Sequence, residues 1–157
     1  SVNPRKGLFA LDNIWDGLGA IIKFNPDIQY FFGKVTMYPN YNREARNYLL
    51  TFMNFFFPDK EILLSPHNPL DFSAKQQDYM SEFENLTFSE AYKKLNAFVR
   101  EKGEFIPPLM NIYMNLSPSM KTFGTALNSD VGNVEETAIL VKINDIYSDK
   151  KERHLDF

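Results

Sequence analysis

The sequence predicts a single α/β domain over residues 1–157. Three observations predict it: apolar residues recur at helical spacing in some segments, β-branched and aromatic residues crowd others, and Pro or Gly closes nearly every segment. The order that results is helix, strand, helix, helix, helix, strand, strand.

From Leu8 to Phe24 the residues Leu11, Ile14, Trp15, Leu18, Ile21 and Ile22 fall at helical spacing, and Pro26 forbids continuation. "IQYFFGKVTMY", residues 28–38, reads as a largely buried strand that ends before Pro39, with Gly33 as a candidate bulge. "NYNREARNYLLTFMNFFF" supplies a helix with Asn42 as N-cap and Ala45, Tyr48, Leu49, Phe52, Met53 and Phe56 on one side, stopped by Pro58. Residues 59–87 hold Pro66 and Pro69 and no sustained period, so they read as an irregular connection or lid with at most short helices. "TFSEAYKKLNAFVREKG" begins with a cap signal at Thr87 or Ser89 followed by Glu90 and ends in Gly103. "IPPLMNIYMNL" follows, with Pro at helix-start positions and Leu109, Ile112, Tyr113 and Leu116 on a common face. Two strand-like runs, "MKTFGTAL" and "ETAILVKI", are joined by the turn-rich "NSDVGNVE", and a charged tail closes the chain.

Composition excludes several functions. Hydrophobic residues make up 44% and aromatics 15%, through 15 Phe and 8 Tyr, which argues for a packed interior. A net charge of -3 argues against nucleic acid as a partner. There is no Cys, and only His67 and His154 offer nitrogen ligands, so no metal site is expected. The densest apolar run, "FMNFFF", is far shorter than the roughly 20 residues a spanning helix needs. The start, "SVNPRKG", has no apolar leader and no Met, and reads as the edge of an excised piece of something longer.

The opening loop carries the strongest chemical signal. A helix N-terminus presents unpaired N–H groups and partial positive charge, so the cations Arg5 and Lys6 just ahead of one are misplaced unless an anion sits between. Pro4 fixes φ, Gly7 allows close approach, and the pattern fits a phosphate; a basic surface turn is the bland alternative.

"NPRKGLFALDNIWDGLG", "YFFGKVTMYPNYNREARNYLL" and "IPPLMNIYMNLSPSMKTFGTA" together resemble a family of bacterial N-acyltransferases of the GNAT-like fold. The family includes lyso-ornithine lipid and glycine lipid synthases and often carries the label hemolysin. The resemblance covers most of the chain and looks like the C-terminal half of longer Bacteroides-like proteins. It implies a mixed sheet flanked by helices and transfer of a fatty acyl group to the amine of an amino acid in membrane aminolipid synthesis. The donor would be the phosphopantetheine thioester of acyl carrier protein, or coenzyme A, with no permanently bound cofactor. The location implied is cytoplasmic, with peripheral contact at the inner membrane face.

Carried onto this chain, the donor phosphate maps to Arg5, Lys6 and Gly7, with the amides of Leu8 and Phe9 pointing at the anion. The pantetheine arm would lie in a splay between two parallel strands, one at 29–38 and the other mostly missing. The chemistry needs a base for the amine, donors for the oxyanion and a proton for the leaving thiolate. Relatives of the fold often use Glu or water as base and Tyr as acid, which makes Tyr41 and Tyr113 candidate acids; packed tyrosines are the commoner arrangement. Glu135 and Glu136 are candidate polar contacts or a solvated turn. Many relatives carry an acidic residue after the late-strand Gly, where this chain has Gly124 followed by Thr125. His67 and His154 read as surface histidines, and Phe52 to Phe57 as core or an acyl groove. Lys93, Lys94, Arg100 and Lys102 form a helix face that suits an acidic carrier protein or plain solvent. Two rivals remain: a non-catalytic module that binds carrier protein or anionic lipid through the basic loop, and a membrane-lytic protein. Against the second stands the lack of a spanning or strongly basic amphipathic helix.

Overall fold

The computed structural model describes residues 15–154. Helix α1, described over residues 15–24, ends where the Asn25 side chain donates to the Ile21 carbonyl (2.8 Å) and Pro26 follows. Strand β1 is Tyr30–Met37, helix α2 Arg43–Phe56, α3 Gln76–Phe83, α4 Phe88–Glu101 and α5 Pro108–Met114. Strands β2, Lys121–Asn128, and β3, Val134–Lys142, form a hairpin, and helix α6, Ser148–His154, follows. The run read as a charged tail is thus partly helical.

Local chemistry sets the longer helices. Asn42 Oδ1 accepts from the amides of Glu44 and Ala45 and starts α2. Thr87 and Glu90 form a reciprocal capping box on α4, so the first of the two cap candidates is the one used. Gly103, at φ +79°, turns the chain out of α4.

The sheet is three-stranded, in the order β1-β3-β2, with both pairings antiparallel. Central strand β3 turns Glu135, Thr137, Ile139 and Val141 inward, all buried. β1 runs in unbroken register from Tyr30 opposite Lys142 to Met37 opposite Glu135. Gly33 is therefore not a bulge; the irregularity falls in β2 between Thr122 and Thr125, where Gly124 has φ +87°. Nor is β1 largely buried: Tyr30 and Phe32 are 48% and 62% exposed while Val35 and Met37 are buried. Among the described residues the second edge of β1 pairs with no strand. The second edge of β2 meets the long connection instead, with Leu70 N–H donating to Thr125 O and Leu127 N–H to Asn68 O, both at 2.8 Å.

Helices α2, α3 and α4 pack together around aromatic side chains. Tyr48 stacks on Phe98 with centroids 4.1 Å apart, and Phe52 meets Phe83 edge-on at 5.5 Å. In α5 the buried residues are Met110 and Met114; Leu109, Ile112 and Tyr113, read as its inner face, are only half-buried.

Candidate functional site

A groove of about 570 Å³ runs along the open edge of β1 and the turn that follows it. One wall is Lys34 to Met37 of β1, continued by Tyr38, Asn40 and Tyr41; the other is Glu104, Phe105 and Pro107 to Leu109. Two hydrogen bonds hold the walls together. Tyr41 Oη donates to the Phe105 carbonyl at 2.9 Å, and the Asn42 amide donates to Glu104 Oε1 at 2.8 Å. Both arise because Pro39 ends β1, the Tyr41 amide closes a turn onto Tyr38 O (3.1 Å), and Gly103 redirects the chain after α4.

Tyr41 is a poor proton donor at rest, since its hydrogen is already given to Phe105. Burial, and then the Glu104 charge, push its phenol well above the usual tyrosine value. Tyr113 differs. It lies on α5 with its ring edge-on to Trp15 at 5.7 Å, and burial alone raises its phenol. Its hydroxyl has no hydrogen-bond partner among the described residues, and a Cβ placed on Gly33 would stand 3.7 Å from it. Gly33 thus leaves room for the hydroxyl against the inner face of β1. Tyr41 lines the groove and Tyr113 is not among its lining residues, so the two tyrosines are not brought together.

A second depression, of about 540 Å³, is lined by Tyr30, Leu63, Leu140, Lys142 and two polar pairs, Lys121 with Glu61 at 3.0 Å and Ser119 with Asp145 at 2.6 Å. It holds neither candidate tyrosine.

Burial raises the phenols of Tyr41, Tyr48, Tyr79 and Tyr113 alike, with the Glu82 contact adding at Tyr48. A phenol whose folded value exceeds the unfolded value of about 10 keeps its proton longer in the fold. Its contribution is therefore full below about pH 10 and is lost as pH rises beyond it. Urea midpoints followed with tyrosinate absorbance should fall above that pH, with tyrosinate appearing as the fold is lost. A midpoint that rises there contradicts the assignment.

The remaining sequence candidates are placed as follows. Arg5, Lys6, Gly7, Leu8 and Phe9 lie outside the described residues. His67 is exposed. Phe52 and Phe57 are core residues, and Phe55 and Phe56 pack against that core. On α4, Lys94 pairs with Glu82 at 3.0 Å, and Lys102 at its C-cap pairs with Glu44; Lys93 and Arg100 are exposed. Glu135 and Glu136 are not in a solvated turn but on β3. Glu136 faces outward to Lys34 (2.6 Å), which lowers its carboxyl value, whereas Glu135 points inward to Arg46 of α2. Glu104, and Arg46 as the buried partner of Glu135, are features the sequence reading missed. A strand begun at 134 instead of 136 puts Glu135 on the face of Ile139 and Val141. Among the described residues no group of His, Asp and Glu side chains is arranged to hold a metal, and no helix is long and apolar enough to cross a membrane.

The chain is 50% identical over 151 residues to a glycine N(alpha)-acyltransferase of Phocaeicola vulgatus, a match covering 96% of this chain and 46% of that protein. It is 50% identical over 150 residues to a protein of the same name from Bacteroides thetaiotaomicron, covering 96% of this chain and 44% of that one. The chain is a homologue of these N-acyltransferases. It spans rather less than half the length of the curated relatives it matches. No family model and no solved structure matches it. The three-stranded antiparallel sheet with its packed helices is consistent with a GNAT-like acyltransferase fold in this acyltransferase homologue.

Proposed function

We propose that the parent protein transfers a fatty acyl group from an acyl thioester to the α-amine of glycine, in the synthesis of a membrane aminolipid. The observation that carries the reading is the 50% identity, across 96% of this chain, to two proteins named for that acceptor and that transfer. The groove supports it, because an unpaired strand edge offers N–H and C=O groups to the amides of an extended pantetheine arm. Arg5, Lys6, Gly7 and the amides of Leu8 and Phe9 hold the phosphate of that arm, whether it belongs to acyl carrier protein or to coenzyme A. The exposed cations Lys93 and Arg100 face the acidic carrier. The reaction takes place in the cytoplasm, with peripheral contact at the inner membrane face.

In the chemical step the amine nitrogen attacks the thioester carbonyl carbon as its proton passes to a base. The N–C bond forms, the C–S bond breaks, and the leaving sulfur takes a proton. Tyr113 supplies that proton, its hydroxyl standing beside Gly33 of β1 with no hydrogen-bond partner among the described residues. Tyr41 keeps the groove walls together through Phe105.

Thiol release by the full-length parent, with acyl-carrier and acyl-coenzyme A thioesters and a panel of amines, tests the reading. Glycine-dependent release is expected, and Arg5→Ala or Lys6→Ala should lower kcat/KM for the donor by about tenfold or more, the loss of one charge-assisted contact. A folded protein that releases no thiol in response to glycine or any other amine sinks it.

A further inference from the structure

Arg46 and Glu135 form a buried ion pair, their side chains 12% and 8% exposed. Glu135 Oε1 accepts from Arg46 Nη1, but Oε2 is buried and has no partner among the described residues. The guanidinium is underused too. Of its five donors, Nε reaches Asn47 Oδ1 at 3.0 Å and Nη1 reaches Glu135, and no other side-chain hydrogen bond is donated among the described residues. Nearby polar groups do not fill the gap: Thr137, the next inward residue of β3, is paired with the Thr125 hydroxyl at 2.8 Å. A buried carboxylate oxygen left without a donor is destabilising, so the arrangement is incomplete as a purely internal pair.

Its position relates it to the groove. Glu135 stands directly opposite Met37, which lines the groove at the carboxyl end of β1. The Cα atoms of residues so paired lie about 5 Å apart, which puts Glu135 one strand in from the groove.

We propose that Arg46 and Glu135 form the subsite for a small amino-acid acceptor. Glu135 Oε2 accepts a hydrogen bond from the amino group, and the unused Arg46 donors hold the carboxylate. The chemistry is complementary, since an amino acid carries N–H donors and a carboxylate on adjacent atoms and the pair presents an acceptor and donors side by side. This inference rests on the reading of the parent as an acyltransferase that uses glycine.

The test uses the full-length parent and measures thiol release against glycine, glycinamide and donor concentration, with melting temperatures alongside. Wild type is expected to prefer glycine to glycinamide by about tenfold or more, the worth of a charge-assisted bond to the carboxylate. Glu135→Gln should raise KM for glycine by a similar factor and leave KM for the donor unchanged. The double variant Glu135→Met with Arg46→Met removes both charges together, and it should lose the preference over glycinamide while keeping its fold. A folded variant with wild-type KM for glycine, or wild type that uses glycinamide as well as glycine, overturns the subsite and leaves the acyltransfer reading standing. If both variants fail to fold, the glycinamide comparison decides alone. Absence of any glycine-dependent release by wild type removes the functional reading, and this inference with it.

Discussion

Phe52→Ala is expected to lower stability by about 3–5 kcal/mol, the usual range for a large aromatic removed from a packed core. Phe52 is fully buried on α2, with rings of Phe56, Phe83, Phe88 and Tyr92 at 4.7, 5.5, 5.7 and 6.2 Å. These rings come from α2, α3, the start of α4 and its second turn, so one truncation opens a cavity where three helices meet. Helix α3 should loosen first. It has eight residues, its N-cap Lys75 sits at φ +61° with no side-chain cap, and its buried residues Tyr79 and Phe83 are what tie it down. Urea midpoints for the variant, with amide exchange resolved by segment, give both readings. Phe24→Ala, at a residue 82% exposed, serves as control and should leave the midpoint where it is. If Phe52→Ala shifts the midpoint no more than that control, the aromatic cluster is not what holds the helices together.

What was legible in the sequence follows from how local each signal is. Asn42, and Thr87 with Glu90, act within one helical turn, so α2 and α4 were readable with their caps. The β2–β3 hairpin was readable from its turn residues. β1 was harder: aromatic residues on both faces of "YFFGKVTM" hide the alternation, and only the assembled sheet shows that Phe32 faces outward while Val35 and Met37 face inward. In α5 the Met residues are less conspicuous than Leu109 or Ile112, yet they occupy the core. The site depends on distant partners. Tyr41 finds Phe105 across 64 residues and Arg46 finds Glu135 across 89, and no local pattern encodes either meeting. The basic loop of Arg5 to Gly7 lies outside the described residues, and the acyl donor is implied only by resemblance.

Arg46→Ala is expected to match Phe52→Ala in size, about 3–5 kcal/mol, for a different physical reason: it strands a buried carboxylate. The neighbouring pair gives the contrast. Glu136 follows Glu135 on β3 but faces outward to Lys34, whose side chain is 61% exposed. Lys34→Ala should hardly move the urea midpoint, and what shift there is should fade in high salt. Two carboxylates one residue apart therefore predict opposite sensitivities, set by which face of the strand each occupies. Replacing Arg46 and Glu135 together by Met should recover most of the loss, because no charge is left stranded. Arg46→Ala no more destabilising than Lys34→Ala would show that burial of Glu135 does not make it depend on its partner. Recovery of stability in the double variant, without recovery of glycine selectivity, would separate the two roles of the pair: an apolar substitute can fill its volume, but it cannot accept an amine N–H or hold a carboxylate.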